Sequence, residues 1–258
     1  MTVDVLAQSP PMAAAQKETP HEGRGAQGKT LYGHGSTQKN QSRMTADPFG
    51  EMAPSPKFKL LTDDDLEAMP PVPWLVRGVL PATGIAAIFG PSGSGKSFLT
   101  LDLLAAVAGG DEWFGCRVKD APVPYVGLEG EAGIAQRVKA RRIKHGPCRG
   151  LRYMLTPMDI RSPMDRAALI EAVRAAGWAD GVLCIDTLNR AAPGMDENSS
   201  QDMGEVIGAA KAIQAELGGL VLLVHHTGKD SNKGLRGHSS LIAALDCAIE
   251  VSREDAEA

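Results

Sequence analysis

A chain of 258 residues, 43% of them hydrophobic, has room for one sizeable α/β core with appendages, or for two small domains. A net charge of −4 and a pI near 5.9 exclude a broadly basic nucleic-acid coat, so any contact with nucleic acid has to be local. Four scattered cysteines without a CxxC pair, no apolar stretch of membrane-spanning length and no signal peptide in "MTVDVLAQSP" predict a cytoplasmic protein with reduced thiols and no membrane association.

Residues 1–57 are rich in Gln, Gly, Ser, Thr and Lys and offer little to bury, which predicts a disordered tail. The domain is assigned to 58–258, with its folded part starting near Trp74. From there strands and helices alternate. "GIAAIF" (84–89) reads as a strand, Lys96 to about Ala108 as a helix, "VPYVGL" (123–128) as a strand and Gly133–Lys144 as a helix. "LRYML" (151–155) reads as a further strand. "SPMDRAALIEAVRAAG" is a helix that Ser162 can cap, with Pro163 in the first turn, Asp165 completing a capping box and Gly177 ending it. "GVLCI" (181–185) is a strand, Met203, Val206, Ile207, Ala210, Ile213 and Leu217 recur at helical spacing, and "LVLLV" (220–224) and "CAIEV" (247–251) are strands. Wholly apolar strands between helices predict a mainly parallel sheet covered on both faces. The last strand lies almost at the end of the chain. Its edge is expected to be covered by a partner, or the C-terminus to be truncated.

"GPSGSGKS", Gly90–Ser97, fits GxxxxGK[ST] between a strand and a helix, the context that a phosphate-binding loop requires. Gly90, Pro91, Ser92, Gly93, Ser94 and Gly95 would wrap backbone N–H groups around phosphate, and the helix that begins here adds a positive partial charge. Lys96 would reach the β and γ phosphates, Ser97 would bind Mg²⁺, and Phe98 follows at the nucleotide side. About ninety residues on, an apolar strand ends in Asp186, an acid able to hold Mg²⁺ opposite Ser97. ATP and Mg²⁺ are therefore the expected ligands. Hydrolysis also needs a group that orients water, and Glu129, past the second strand and expected beside the loop, is the first choice, with Glu131 the fallback.

Together these stretches resemble the RecA-like ATPases, and more narrowly the family of the plasmid-encoded RepA-type hexameric replicative helicase. The resemblance runs from about Trp74 to Val251. It rests on "WLVRGVLPATGIAAIFGPSGSGKSFLTLDL", "VPYVGLEGEAG", "CIDTLNRAAPGMDENSSQDMG", and "LLVHHTGKD" with "GLRGHSS". It implies a RecA-like P-loop core, ATP sites between neighbours in a homo-hexamer, and single-stranded DNA in the central channel. By position it implies that Lys96 and Ser97 are the P-loop pair, Asp186 the metal-side acid and Glu129 the catalytic carboxylate. His226 would then end the strand that senses the γ-phosphate, and Arg236 would match the arginine finger. The function expected is Mg²⁺-dependent ATP hydrolysis coupled to DNA binding or translocation, as in a DNA helicase. The alternative is a regulatory or clamp-like ATPase that assembles without unwinding.

Adjacent His225 and His226 must point to opposite faces of a strand, and no further ligand lies at zinc spacing. The loop after them carries Lys229, Lys233 and Arg236, suited to DNA or a neighbouring ATP site. The acidic stretch after Asn189 is either a helix cap at Ser199 or Ser200 or an interface loop. "RVKARRIKHG" (137–146) is read first as a solvated basic helix and second as a nucleic-acid or subunit contact. Trp113 and Phe114 are expected to close the core, with adenine stacking the alternative.

Overall fold

The computed structural model describes residues 2–6, 58–178, 180–226 and 240–252. The chain divides into two units, residues 1–10 with 71–258, and residues 11–70. In the latter, one short helix, α1 (Asp63–Glu67), is held by a full capping box between Thr62 and Asp65.

The larger unit is built on a seven-stranded sheet. Its strands are β1 (Thr2–Leu6), β4 (Gly84–Gly90), β5 (Val123–Gly127), β6 (Leu151–Met154), β7 (Val182–Asp186), β8 (Leu220–His226) and β9 (Cys247–Ser252). A separate hairpin pairs β2 (Trp74–Val76) with β3 (Leu80–Pro81). The order across the sheet is β1-β9-β4-β8-β7-β5-β6, and the six strands from β9 to β6 are parallel. These are the strands expected from their apolar runs. The helices are α2 (Lys96–Gly109), α3 (Glu131–His145), α4 (Pro163–Ala175), α5 (Leu188–Ala191), α6 (Ser200–Leu217) and α7 (Ser240–Ala243).

Alternation along each strand explains the layers. In β4, Ala86 and Ile88 pack with Leu103, Leu104 and Val107 of α2, while Ile85, Ala87 and Phe89 face Met203, Val206 and Ile213 of α6. In β8, Leu222 and Val224 join the first cluster and Val221 and Leu223 the second. Each fully buried aliphatic side chain contributes about 1.5–3 kcal/mol of apolar burial, so two faces of such residues hold the sheet between its helix layers.

One expectation gains a detail and another is corrected. The residues assigned to a disordered tail include β1, which pairs antiparallel with β9 from Thr2↔Ser252 to Leu6↔Ala248. The edge expected to need a partner is therefore covered by the chain's own first residues. Residues 7–57 lie outside the described residues. At α4, Ser162 does cap, its Oγ accepting from Asp165 N at 3.3 Å, but the box does not close: Asp165 Oδ2 accepts instead from Asp159 N at 2.8 Å.

Candidate active site

The parallel strands deliver their C-terminal ends to one edge, where ligands bind in open α/β sheets. The P-loop follows β4 there. Gly90 has no room for a side chain, since a Cβ would sit 2.1 Å from the Val251 carbonyl oxygen of β9. Gly95, at φ +95°, makes the left-handed turn that starts α2. Within this loop Lys96 is buried, and its Nζ donates to Gly90 O at 2.9 Å and Pro91 O at 2.7 Å. Burial lowers its pKa, while the carboxylates of Asp186 and Glu129 act in the opposite sense. Both acids thus lie near enough to feel the ammonium. Ser94 is buried with an unpartnered hydroxyl, and Ser97 stands half-buried beside Lys96.

Asp186 ends β7 and is almost wholly buried. Burial raises its carboxyl above the usual range. The hydroxyls of Tyr125 and Ser97 pull it down, and Glu129 pushes it up. Its Oδ2 accepts from the Tyr125 hydroxyl at 2.5 Å, whereas Oδ1 is buried without a hydrogen-bond partner. A buried, orphaned carboxylate oxygen near a serine hydroxyl fits a divalent cation, so these two residues suit Mg²⁺.

Glu129 is expected beside the P-loop, although β8 and β7 lie between β4 and its own strand β5. It is the loop after β5 that brings it across. Leu128 N donates to Asp186 O at 2.6 Å, which draws the loop over the end of β7. Glu129 Oε2 then accepts from Thr187 Oγ1 at 3.3 Å and lies 3.6 Å from His226 Nε2. His226 ends β8, and its Nδ1 is 3.4 Å from Ser92 Oγ of the P-loop. His225 is fully buried, on the other face of the strand. One histidine thus touches both the phosphate loop and the carboxylate expected to orient water. The side chain of Glu131 and the positions Lys229, Lys233 and Arg236 lie outside what the structure describes.

Phe98 is exposed in the first turn of α2, with the Arg137 guanidinium 5.2 Å from its ring centre. A cleft of about 780 Å³ opens there, bordered by Gly93, Gly95, Phe98, Arg137, Arg141 and Lys144. The basic face of α3 therefore borders the P-loop and the first turns of α2. Trp113 closes the core as expected and donates to Asp102 Oδ2 at 3.1 Å, but Phe114 is exposed. Ser199 is the cap of α6, its Oγ accepting from Asp202 N at 3.2 Å. Sequence reasoning misses Tyr125 and Thr187. Tyr125 reads only as one apolar position in a strand, and Thr187 gains its partner through a contact across 58 residues.

A family profile described as an AAA domain matches residues 51–232. The chain belongs to the AAA domain family. This AAA domain has a P-loop ATPase core, with β8 inserted between the P-loop strand and the strand that ends in Asp186. Among solved structures it is similar to a KaiC-like protein from the hyperthermophilic archaeon Pyrococcus horikoshii OT3, at 17% identity over 61% of this chain and 67% of that one, with a TM-score of 0.42. It is also similar to a second solved ATPase domain, at 13% identity over 58% of this chain and 59% of that one, with a TM-score of 0.43. No helix among the described residues of this AAA domain is long and apolar enough to cross a membrane.

Proposed function

We propose that this chain is a Mg²⁺-dependent ATPase of the hexameric replicative-helicase type, coupling hydrolysis to binding or movement on single-stranded DNA. The observation that carries the reading is the pairing of Glu129 with His226, 3.6 Å apart, while His226 also reaches Ser92 of the P-loop. A phosphate loop alone would serve many transfer reactions. A carboxylate linked to that loop through a histidine supports attack by water, with Glu129 orienting it and His226 responding to the γ-phosphate. Lys96 exchanges its two carbonyl partners for the β and γ phosphates. Ser97 and Asp186 would hold Mg²⁺, which supplies charge neutralisation across those phosphates.

Glu129 is about half exposed, so a neighbouring subunit has access to the site. In this reading Arg236 acts on the ATP of the next copy in a homo-hexamer, and Lys229 and Lys233 serve single-stranded DNA. Arg236→Ala should then lower turnover by roughly 10³, and mixing it with a Lys96→Ala protein should restore part of it. The deciding experiment measures ATP turnover with and without single-stranded DNA, together with strand displacement on a forked duplex. DNA-stimulated turnover with unwinding supports the motor. Stimulation without unwinding selects a clamp-like ATPase, and absence of ATP turnover overturns both.

A further inference from the structure

Tyr125 sits in the middle of β5 and is wholly buried. Phenylalanine would fill the same space, and a hydroxyl placed there requires a partner. That partner is Asp186 on the adjacent strand, where Tyr125 pairs with Cys184 and Gly127 with Asp186. The hydroxyl donates to Asp186 Oδ2 at 2.5 Å, and Oδ1 is left buried without a hydrogen-bond partner. A carboxylate tied through one oxygen cannot turn freely about its Cβ–Cγ bond, so the other oxygen keeps one direction. Tyr153 of β6 packs edge-on against the Tyr125 ring, 5.9 Å between centroids, and limits movement of the donor.

We infer that Tyr125 is a positioning residue for the metal-side acid: its hydroxyl occupies Asp186 Oδ2 and keeps Oδ1 available to Mg²⁺ beside Ser97. This rests on the reading of Asp186 given above. Removing such a partner typically weakens metal affinity 10- to 100-fold. A purely structural hydroxyl would change thermal stability and leave the dependence on Mg²⁺ alone.

The test is Tyr125→Phe, with binding of a fluorescent ATP analogue titrated against Mg²⁺ and repeated in EDTA. The Mg²⁺ concentration for half-maximal tight binding should rise about 10-fold. Affinity in EDTA should stay unchanged, and high Mg²⁺ should restore turnover. Tyr153→Phe should leave all three as in the wild type. A second measurement keeps the hydroxyl. The chain has three tyrosines, so Tyr32→Phe with Tyr153→Phe leaves Tyr125 alone. Labelled with 3-fluorotyrosine, its ¹⁹F resonance should move when Mg²⁺ is added to the nucleotide-bound protein. Wild-type nucleotide binding that ignores Mg²⁺ would overturn the reading of Asp186 itself. If the wild type depends on Mg²⁺, a shift below twofold in Tyr125→Phe overturns the positioning role alone. Should that variant not fold, a stationary ¹⁹F resonance does the same.

Discussion

The P-loop and the Glu129–His226 pair occupy the same edge of the sheet, yet they are built in opposite ways. Lys96 is held by carbonyls five and six residues before it, so the phosphate grip is made by one short, continuous segment. Glu129, Thr187, His226 and Ser92 come from the ends of three strands and the P-loop, with partners separated by 58 and 134 residues. The grip is therefore local chemistry, whereas the proposed hydrolytic half exists only when β5, β7 and β8 are in register. Binding and turnover should accordingly respond to different substitutions.

The largest effect is expected at the local half. Lys96→Ala removes the ammonium from the loop and should abolish ATP turnover, with nucleotide affinity measured in parallel by fluorescence. Turnover equal to the wild type would remove the P-loop from the reaction. At the assembled half, Glu129→Gln keeps size and hydrogen bonding but loses the charge. It should retain ATP binding and lower turnover by roughly 10²–10⁴, the usual contribution of a general base. Equal losses in binding and turnover would erase the distinction between the halves.

What is legible in the sequence follows the same division. Gly90–Ser97 declares itself because each residue type is required by backbone wrapping or by phosphate charge, and β7 declares Asp186 because an apolar run ends in an acid. The α4 cap is half visible: Ser162 acts as expected, but Asp165 prefers the N–H of Asp159, six residues upstream and outside any helical spacing rule. Strand order is not legible. Adjacent β4 and β5 in sequence are separated in space by β8 and β7, and Glu129 meets His226 and Thr187 through the loop that Leu128 N ties to Asp186 O. The pairing of β1 with β9 joins opposite ends of the chain, and a five-residue strand amid polar sequence carries no local sign of such a partner. Tyr125 shows the limit from the other side: its ring follows the apolar pattern, and only the fold reveals what its hydroxyl holds.

A smaller effect is expected at the junction between the halves. His226→Asn removes the 3.6 Å contact with Glu129 while leaving a polar side chain at the end of β8. It should lower turnover about 10-fold, less than Glu129→Gln, because it acts on the orienting group and not on the water itself. If the loss matched that of Glu129→Gln, His226 would be acting directly in the reaction.

The smallest change should come from Ser92→Ala. Its hydroxyl is exposed and stands 3.4 Å from His226 Nδ1, at the long limit of a hydrogen bond, so water can replace it at little cost. Turnover and affinity should each stay within about twofold of the wild type, since a neutral exposed hydrogen bond contributes about 0.5 kcal/mol or less. The informative quantity is the double-mutant cycle with His226→Asn. A coupling near zero means that the two halves communicate through ATP and the sheet. A coupling above about 1 kcal/mol means that Ser92 carries the state of the P-loop to His226 directly, and the local grip would then already contain part of the hydrolytic machinery.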